Sequence, residues 1–209
     1  MTFDVDITLH RGPRTITATF QAATGLTALF GASGAGKTSV LDAVAGLVRP
    51  ERGRIAVGSR VLFDAAGRID LPPEARACGY VFQDSRLFPH RTVAQNLLYG
   101  WHLAPEARRW MAPEEAIEFL AIGHLLERMP RHLSGGEAQR VAIGRALLAG
   151  PRFLLMDEPL ASLDAGRREE IMRVIERVRD ELGLPILYVS HDRAEVERLA
   201  DQVVAMPGW

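Results

Sequence analysis

The sequence predicts an α/β fold with a mostly parallel sheet, an antiparallel β layer on its N-terminal side and an inserted α-helical lobe. Three observations carry that prediction. Apolar runs at residues 26–30, 79–82, 153–156 and 184–189 are nearly continuous, the pattern of strands covered on both faces, and helical patterns separate most of them. Residues 3–9 and 15–20 instead alternate apolar with polar around Arg11-Gly12-Pro13-Arg14, which reads as a hairpin with one wet face. Between residues 87 and 132 the pattern turns helical, with segments at 93–99, 113–121 and 123–128, the second opening on a proline.

The hairpin begins the antiparallel layer, and its loop end could support a planar base. The strand at 26–30 then runs into Gly31-Ala32-Ser33-Gly34-Ala35-Gly36-Lys37-Thr38, and residues 39–47 read as a helix. That loop fits G-x-x-x-x-G-K-[ST] between the strand and helix the pattern requires. Its glycines let successive backbone N–H groups face one anion, and the helix N-terminus adds a favourable dipole. Lys37 is expected to hold the β and γ phosphates of a nucleotide, Thr38 to ligate Mg²⁺ and Ser39 to reach the α phosphate. A glycine-rich turn with a solvated lysine is the alternative, and it has no need of the flanking elements.

After Gly46 and a turn at 49–53, residues 54–57 and 61–63 read as further short strands. The strand at 79–82 ends in Gln83, which either satisfies backbone groups or touches a ligand. Trp101 and Trp110 either pack a satellite core or line a partner groove. Ser134 reads as an N-cap, and Gly135 and Gly136 leave the first-turn N–H groups of the next helix open to an anion. The strand at 153–156 delivers Asp157 and Glu158, which as neighbours on a strand would face opposite sides and divide two roles: holding a metal's water shell and activating a water. Ser162-Leu163-Asp164 leads to an amphipathic helix over 166–182, and the strand at 184–189 delivers Ser190-His191-Asp192. A helix over 192–200 and a strand over 203–206, running into Pro207-Gly208-Trp209, close the chain.

A formal net charge of -1 gives no basic field for collecting nucleic acid, so nucleic acid is not expected as a partner. No apolar run approaches the ~18 residues of a membrane span. The one cysteine, Cys78, and the lack of a basic-then-apolar leader point to a reducing, cytoplasmic setting.

Taken together, the motifs resemble those of the ATPase subunit of ABC transporters. Gly31 to Thr38 matches the Walker A motif, Gln83 the Q-loop, and Leu133-Ser134-Gly135-Gly136-Glu137 the signature motif. Leu154-Leu155-Met156-Asp157-Glu158 matches Walker B with its following glutamate, Ser162-Leu163-Asp164 the D-loop and His191 the switch histidine. The likeness spans nearly the whole chain, in the family's order. It implies a P-loop NTPase core at 1–83 and 133–209 with the helical lobe at 84–132. It implies a head-to-tail dimer holding two ATP molecules between Walker A of one copy and Ser134, Gly135 and Gly136 of the other. The catalytic residues would be Glu158 as general base, His191 at the γ phosphate and Gln83. Mg²⁺ would be held by Thr38, Asp157 and Gln83, and Asp164 would signal between subunits.

Within the family, residues 30–39, 79–90 and 157–164 look like the molybdate-importer subgroup. That resemblance implies integral membrane permease subunits docked at the lobe, an indirect role for a periplasmic or extracellular solute-binding protein, and a peripheral place on the cytoplasmic face of the inner membrane. Sulfate, iron or sugar importers are the nearest alternatives. An ABC ATPase of DNA repair would separate the motif halves with a long coiled coil, and a P-loop kinase would need neither residues 133–137 nor His191. Two departures stand out: the subgroup's C-terminal regulatory domain is expected to be absent beyond Trp209, and no aromatic lies between His10 and Arg14 to stack on adenine, so that either Phe3 or Phe20 substitutes or the contacts to the base are weak.

Overall fold

The structure, a computed structural model, describes residues 2–23 and 25–206, so the residues expected to follow the last strand lie outside it. Two five-stranded sheets form the frame. The antiparallel sheet contains β1 (Phe3–Arg11), β2 (Arg14–Ala22), β4 (Arg52–Val57), β5 (Arg60–Asp64) and β6 (Ile69–Asp70), in the order β2-β1-β4-β5-β6. The second contains β3 (Leu26–Phe30), β7 (Cys78–Val81), β8 (Phe153–Asp157), β9 (Ile186–Ser190) and β10 (Gln202–Ala205), in the order β10-β3-β9-β8-β7. Every pairing in it is parallel.

Strand period explains how one sheet serves two cores. Leu154, Met156, Ile186 and Tyr188 face one cluster, while Phe153, Leu155, Leu187 and Val189 face another, because neighbours on a strand point to opposite sides. The second cluster also takes Phe3, Val5, Ile7 and Leu9 from the hairpin, together with Val40, Leu41 and Val44 of α1 (Lys37–Ala45). Phe3 meets Phe153 edge-on with ring centroids 5.7 Å apart, joining the two sheets. Burial of a ring of that size contributes about 1.5–3 kcal/mol.

The first cluster is covered by α5 (Gly135–Leu148), α6 (Ala165–Leu182) and α7 (Arg193–Leu199). It continues without a break into Val93 and Leu97 of α3 (Val93–Leu103) and Ala116 and Leu120 of α4 (Pro113–Leu120). Thr92 and Gln95 form a reciprocal cap at the start of α3, and Pro113 occupies the first turn of α4. The helix expected over 123–128 is only a 3₁₀ turn, Gly123–Leu125. The tryptophans differ: Trp101 packs against the core under the Arg109 guanidinium, whereas Trp110 is exposed, with its Nε1 donating to Pro151 O.

Two short elements carried no periodic signal in the sequence, β6 and α2 (Pro73–Arg76). They position the fully buried Arg76, whose guanidinium donates to Ala43 O at 2.7 Å and Val44 O at 3.0 Å. Those carbonyls end α1, so a cation satisfies acceptors that the helix leaves open and complements its dipole.

Candidate active site

All strands of the parallel sheet run the same way, so β3, β7, β8 and β9 end on one edge and bring their following residues together. The loop after β3 is shaped by glycine. Gly34 and Gly36 have φ of 82° and 88°, and a Cβ on Gly36 would stand 2.8 Å from Ile16. Lys37 opens α1 and is buried; its Nζ donates to Gly31 O at 2.8 Å and Ala32 O at 2.9 Å, and lies 3.9 Å from Glu158 Oε1. Ala35 is buried in the core against the antiparallel sheet, which anchors the loop from beneath.

A cleft of about 390 Å³ opens over this loop. Ser33, Gly34, Lys37, Thr38 and Ser39 line one side, with Gln83 and Glu158 opposite. Its third wall is Arg11, Arg14 and Ile16, at the loop end of the hairpin that the sequence offered as support for a base, without naming these side chains. The expected aromatic substitutes are not there: Phe3 and Phe20 point inward from the hairpin and are buried in the core. The alternation that predicted the hairpin already put them on its apolar face.

Asp157 and Glu158 divide their surroundings, though not by strand alternation as expected. Asp157 is the last residue of β8, whereas Glu158 leaves the strand in a left-handed conformation with φ 44°. The turn aims Glu158 at the cleft, where Oε2 lies 3.0 Å from His191 Nδ1. Non-glycine residues seldom occupy this region, and such strain gathers at functional sites. Asp157 is buried and accepts a hydrogen bond from Thr38 Oγ1 at 3.0 Å. Burial pushes its carboxyl above the ordinary value; the Thr38 bond opposes this, while the charges of Glu158 and Asp42 add to it. A carboxylate and a hydroxyl side by side, in a place where the negative charge is disfavoured, form a hard-oxygen donor set suited to a small divalent cation.

Ser134, Gly135, Gly136 and Asp164 do not line the cleft and stand at the starts of α5 and α6. Gly31, Ala32, Ala35, Asp157 and His191 do not line it either, but they contact or adjoin residues that do. Ser134 caps α5: its Oγ accepts from Glu137 N at 3.3 Å, and its own N–H donates to Glu137 Oε2 at 2.6 Å. That backbone bond holds the Glu137 carboxyl below its usual range. The two glycines differ: a Cβ on exposed Gly135 would stand 2.9 Å from Leu163 Cδ2, whereas one on buried Gly136 would meet Arg167 Cβ at an ordinary contact distance of 3.4 Å. Asp164 caps α6, accepting from Arg167 N at 3.1 Å, and is otherwise exposed.

The family profile described as "ABC transporter" matches residues 15–161, a span that runs from the hairpin through Asp157 and Glu158. The chain belongs to the ABC transporter family. It is 57% identical over 201 residues to a Rhodospirillum rubrum protein named "Molybdenum import ATP-binding protein ModC", a match covering 96% of this chain and 54% of that one. The chain thus spans about half the length of the curated relatives it matches. Among solved structures, CbiO1 of Clostridium perfringens, described as part of the ABC transporter complex cbiONQ, superposes with a TM-score of 0.79 at 27% identity, over 98% of this chain and 84% of that one. The ATP-binding cassette MJ0796, solved as a dimer in a post-hydrolysis state bound to ADP and Pi, superposes at 0.75 with 25% identity, over 98% and 93%.

Proposed function

We propose that this chain is the ATP-hydrolysing subunit of an ABC importer, working as a head-to-tail dimer that powers uptake of molybdate through a membrane permease. The observation that carries the reading is the chain of contacts from Lys37 to Glu158 and from Glu158 to His191, beside the Thr38–Asp157 pair. The relatives named for molybdenum import support the solute, and the ADP-bound dimer of MJ0796 supports the assembly.

In this reading the N–H groups of residues 31–36 cradle the phosphates, Lys37 exchanges its carbonyl partners for β and γ oxygens, and Ser39 reaches the α phosphate. Mg²⁺ held by Thr38, Asp157 and Gln83 would neutralise charge on the phosphate oxygens. Glu158 takes the proton of the attacking water, while His191 holds Glu158 in place and reaches the γ phosphate. Ser134, Gly135 and Gly136 complete the pocket of a partner copy, and Asp164 meets that partner across the interface. Arg11, Arg14 and Ile16 face the nucleoside end with cations and an aliphatic chain in place of an aromatic ring.

The lobe at 84–132 takes the permease. A groove of about 360 Å³ at the seam of core and lobe, between Tyr80 and Phe82 on one side and Phe88 and Tyr99 of the lobe on the other, supports a docking place at the lobe's edge. No helix among the described residues is long and apolar enough to cross a membrane, so attachment to the cytoplasmic face of the inner membrane would run through this contact. The test is the mass of the Glu158→Gln protein by light scattering. It should double with ATP and Mg²⁺, and Lys37→Ala should prevent the doubling. A monomer at saturating nucleotide, with permease present, defeats the dimer mechanism. Molybdate uptake by vesicles carrying the permease tests the solute.

A further inference from the structure

Beside the cleft lies a polar cluster that the assigned roles leave unused. Glu195, on the first turn of α7, is buried at 5% exposure and accepts hydrogen bonds from Tyr188 Oη at 2.9 Å and Ser190 Oγ at 2.8 Å. Ser190 Oγ in turn accepts from Asp192 N at 2.9 Å. The buried carboxylate therefore fixes the Ser190 side chain before His191, and through Ser190 Oγ the backbone N–H of Asp192 after it. Opposite stands Arg168 of α6, whose Nη1 donates to Asp192 Oδ2 at 3.0 Å. Its Nε is buried and donates to nothing among the described residues, with Glu195 Oε1 3.8 Å away. A guanidinium is a rigid fork, and here each arm faces a different carboxylate of the segment that carries His191.

Arg168 also sits one turn after Asp164, to whose carbonyl its own N–H donates at 2.9 Å. A small cavity lined by Ala161, Arg168, Ser190 and Glu195 is also lined by Glu158 and His191, so the fork shares it with that pair, whose Oε2 and Nδ1 lie 3.0 Å apart. Resting on the dimer reading above, we propose that Arg168 is a positioning residue for hydrolysis. It ties the first turn of α6, which begins at Asp164, to the backbone around His191. Contact of Asp164 with a partner copy thereby sets where His191 stands against Glu158. Arg168 touches no reacting atom, so its effect passes through His191. A shift of about 1 Å in a group aligned for reaction can cost ~10²-fold, which makes so indirect a coupling visible in turnover.

A double-mutant cycle in the full chain, with kcat expressed per titrated nucleotide site, tests this. Arg168→Met should lower kcat about 10-fold and leave KM within about 2-fold, because ground-state nucleotide contacts are untouched. Added to His191→Ala it should cost no further than about 2-fold, since coupled residues are not additive. Arg168→Lys, which keeps a charge for Asp192 but lacks the second arm, should lose about 3-fold. It also decides the matter if the Met variant does not fold. Parental kcat in Arg168→Met or Arg168→Lys, or full additivity with His191→Ala, overturns the proposal. A His191→Ala protein at parental speed would instead overturn the role given to His191, and so separates the two failures.

Discussion

The loop after β3 and the start of α5 are both glycine-containing turns that open helices, yet they are finished differently. At the first, Lys37, Thr38, Asp157, Glu158 and His191 come from three strand ends and contact one another within one chain. At the second, the partners of Ser134 among the described residues are Glu137 and Ala138 of its own helix, and Leu163 and Arg167 lie beside the two glycines. A helix N-terminus that presents N–H groups beside exposed Gly135, with no anion-binding side chains from its own sheet, suits a ligand supplied by another molecule. On the proposed dimer reading, the first region is a binding site and the second is half of one.

If that contrast is right, damage at the first region should stop chemistry while damage at the second should stop assembly. The largest effect belongs to Glu158→Gln, which keeps the shape but removes the base. Turnover should fall about 10²- to 10⁴-fold with nucleotide affinity retained, measured as phosphate release against equilibrium binding. Near-parental turnover would remove Glu158 from its role. Next is Asp157→Asn, which preserves the acceptor for Thr38 but not the charge. Mg²⁺-dependent turnover should drop by about 10²-fold or more.

Asp157→Asn also carries a stability signature of opposite sign. The folded carboxyl titrates above its reference value of 3.8, so the folded state binds that proton more tightly than the unfolded chain does. Ionising it therefore costs stability as pH rises above 3.8, and the cost is complete once the folded value is passed. Without divalent cation, the parent should lose more of its thermal midpoint than Asp157→Asn between about pH 4 and pH 7. Parallel curves would show that Asp157 is not held as an uncomfortable charge.

Much of this contrast could be read from the sequence because strand period and loop chemistry are local. Continuous apolar runs gave the parallel sheet, and Gly31 to Thr38 gave the loop, since both follow from residues within ten positions of each other. What escaped depends on tertiary neighbours. The left-handed turn at Glu158 is imposed where β8 meets β9, with Glu158 N donating to Val189 O. Arg11 and Arg14 become a cleft wall only because the hairpin folds back over the loop, and Arg76 becomes a helix cap only because α2 lies beside the end of α1. Charged side chains carry no periodic signal, so their partners had to be seen.

The smallest effect sharpens the contrast most. Ser134→Ala removes one acceptor from the first turn of α5, and loss of an N-cap typically costs about 1 kcal/mol, or roughly 2–4 °C in a domain of this size. The bond lost is long at 3.3 Å, and Glu137 still accepts from the backbone of residue 134, so the change should fall at the low end of that range. Nucleotide affinity of the isolated chain should be unchanged, because Ser134 is outside its cleft. In the Glu158→Gln background, however, nucleotide-dependent dimerisation should weaken about 10-fold per site and so about 10²-fold overall, because a dimer with two sites loses two hydrogen bonds to charged phosphates, each taken at the low end of their range. Sedimentation with ATP and Mg²⁺ reads the second quantity and fluorescence titration the first. Weakened binding by the monomer would mean that Ser134 serves its own chain's pocket, and the division between a complete site and a half site would not survive.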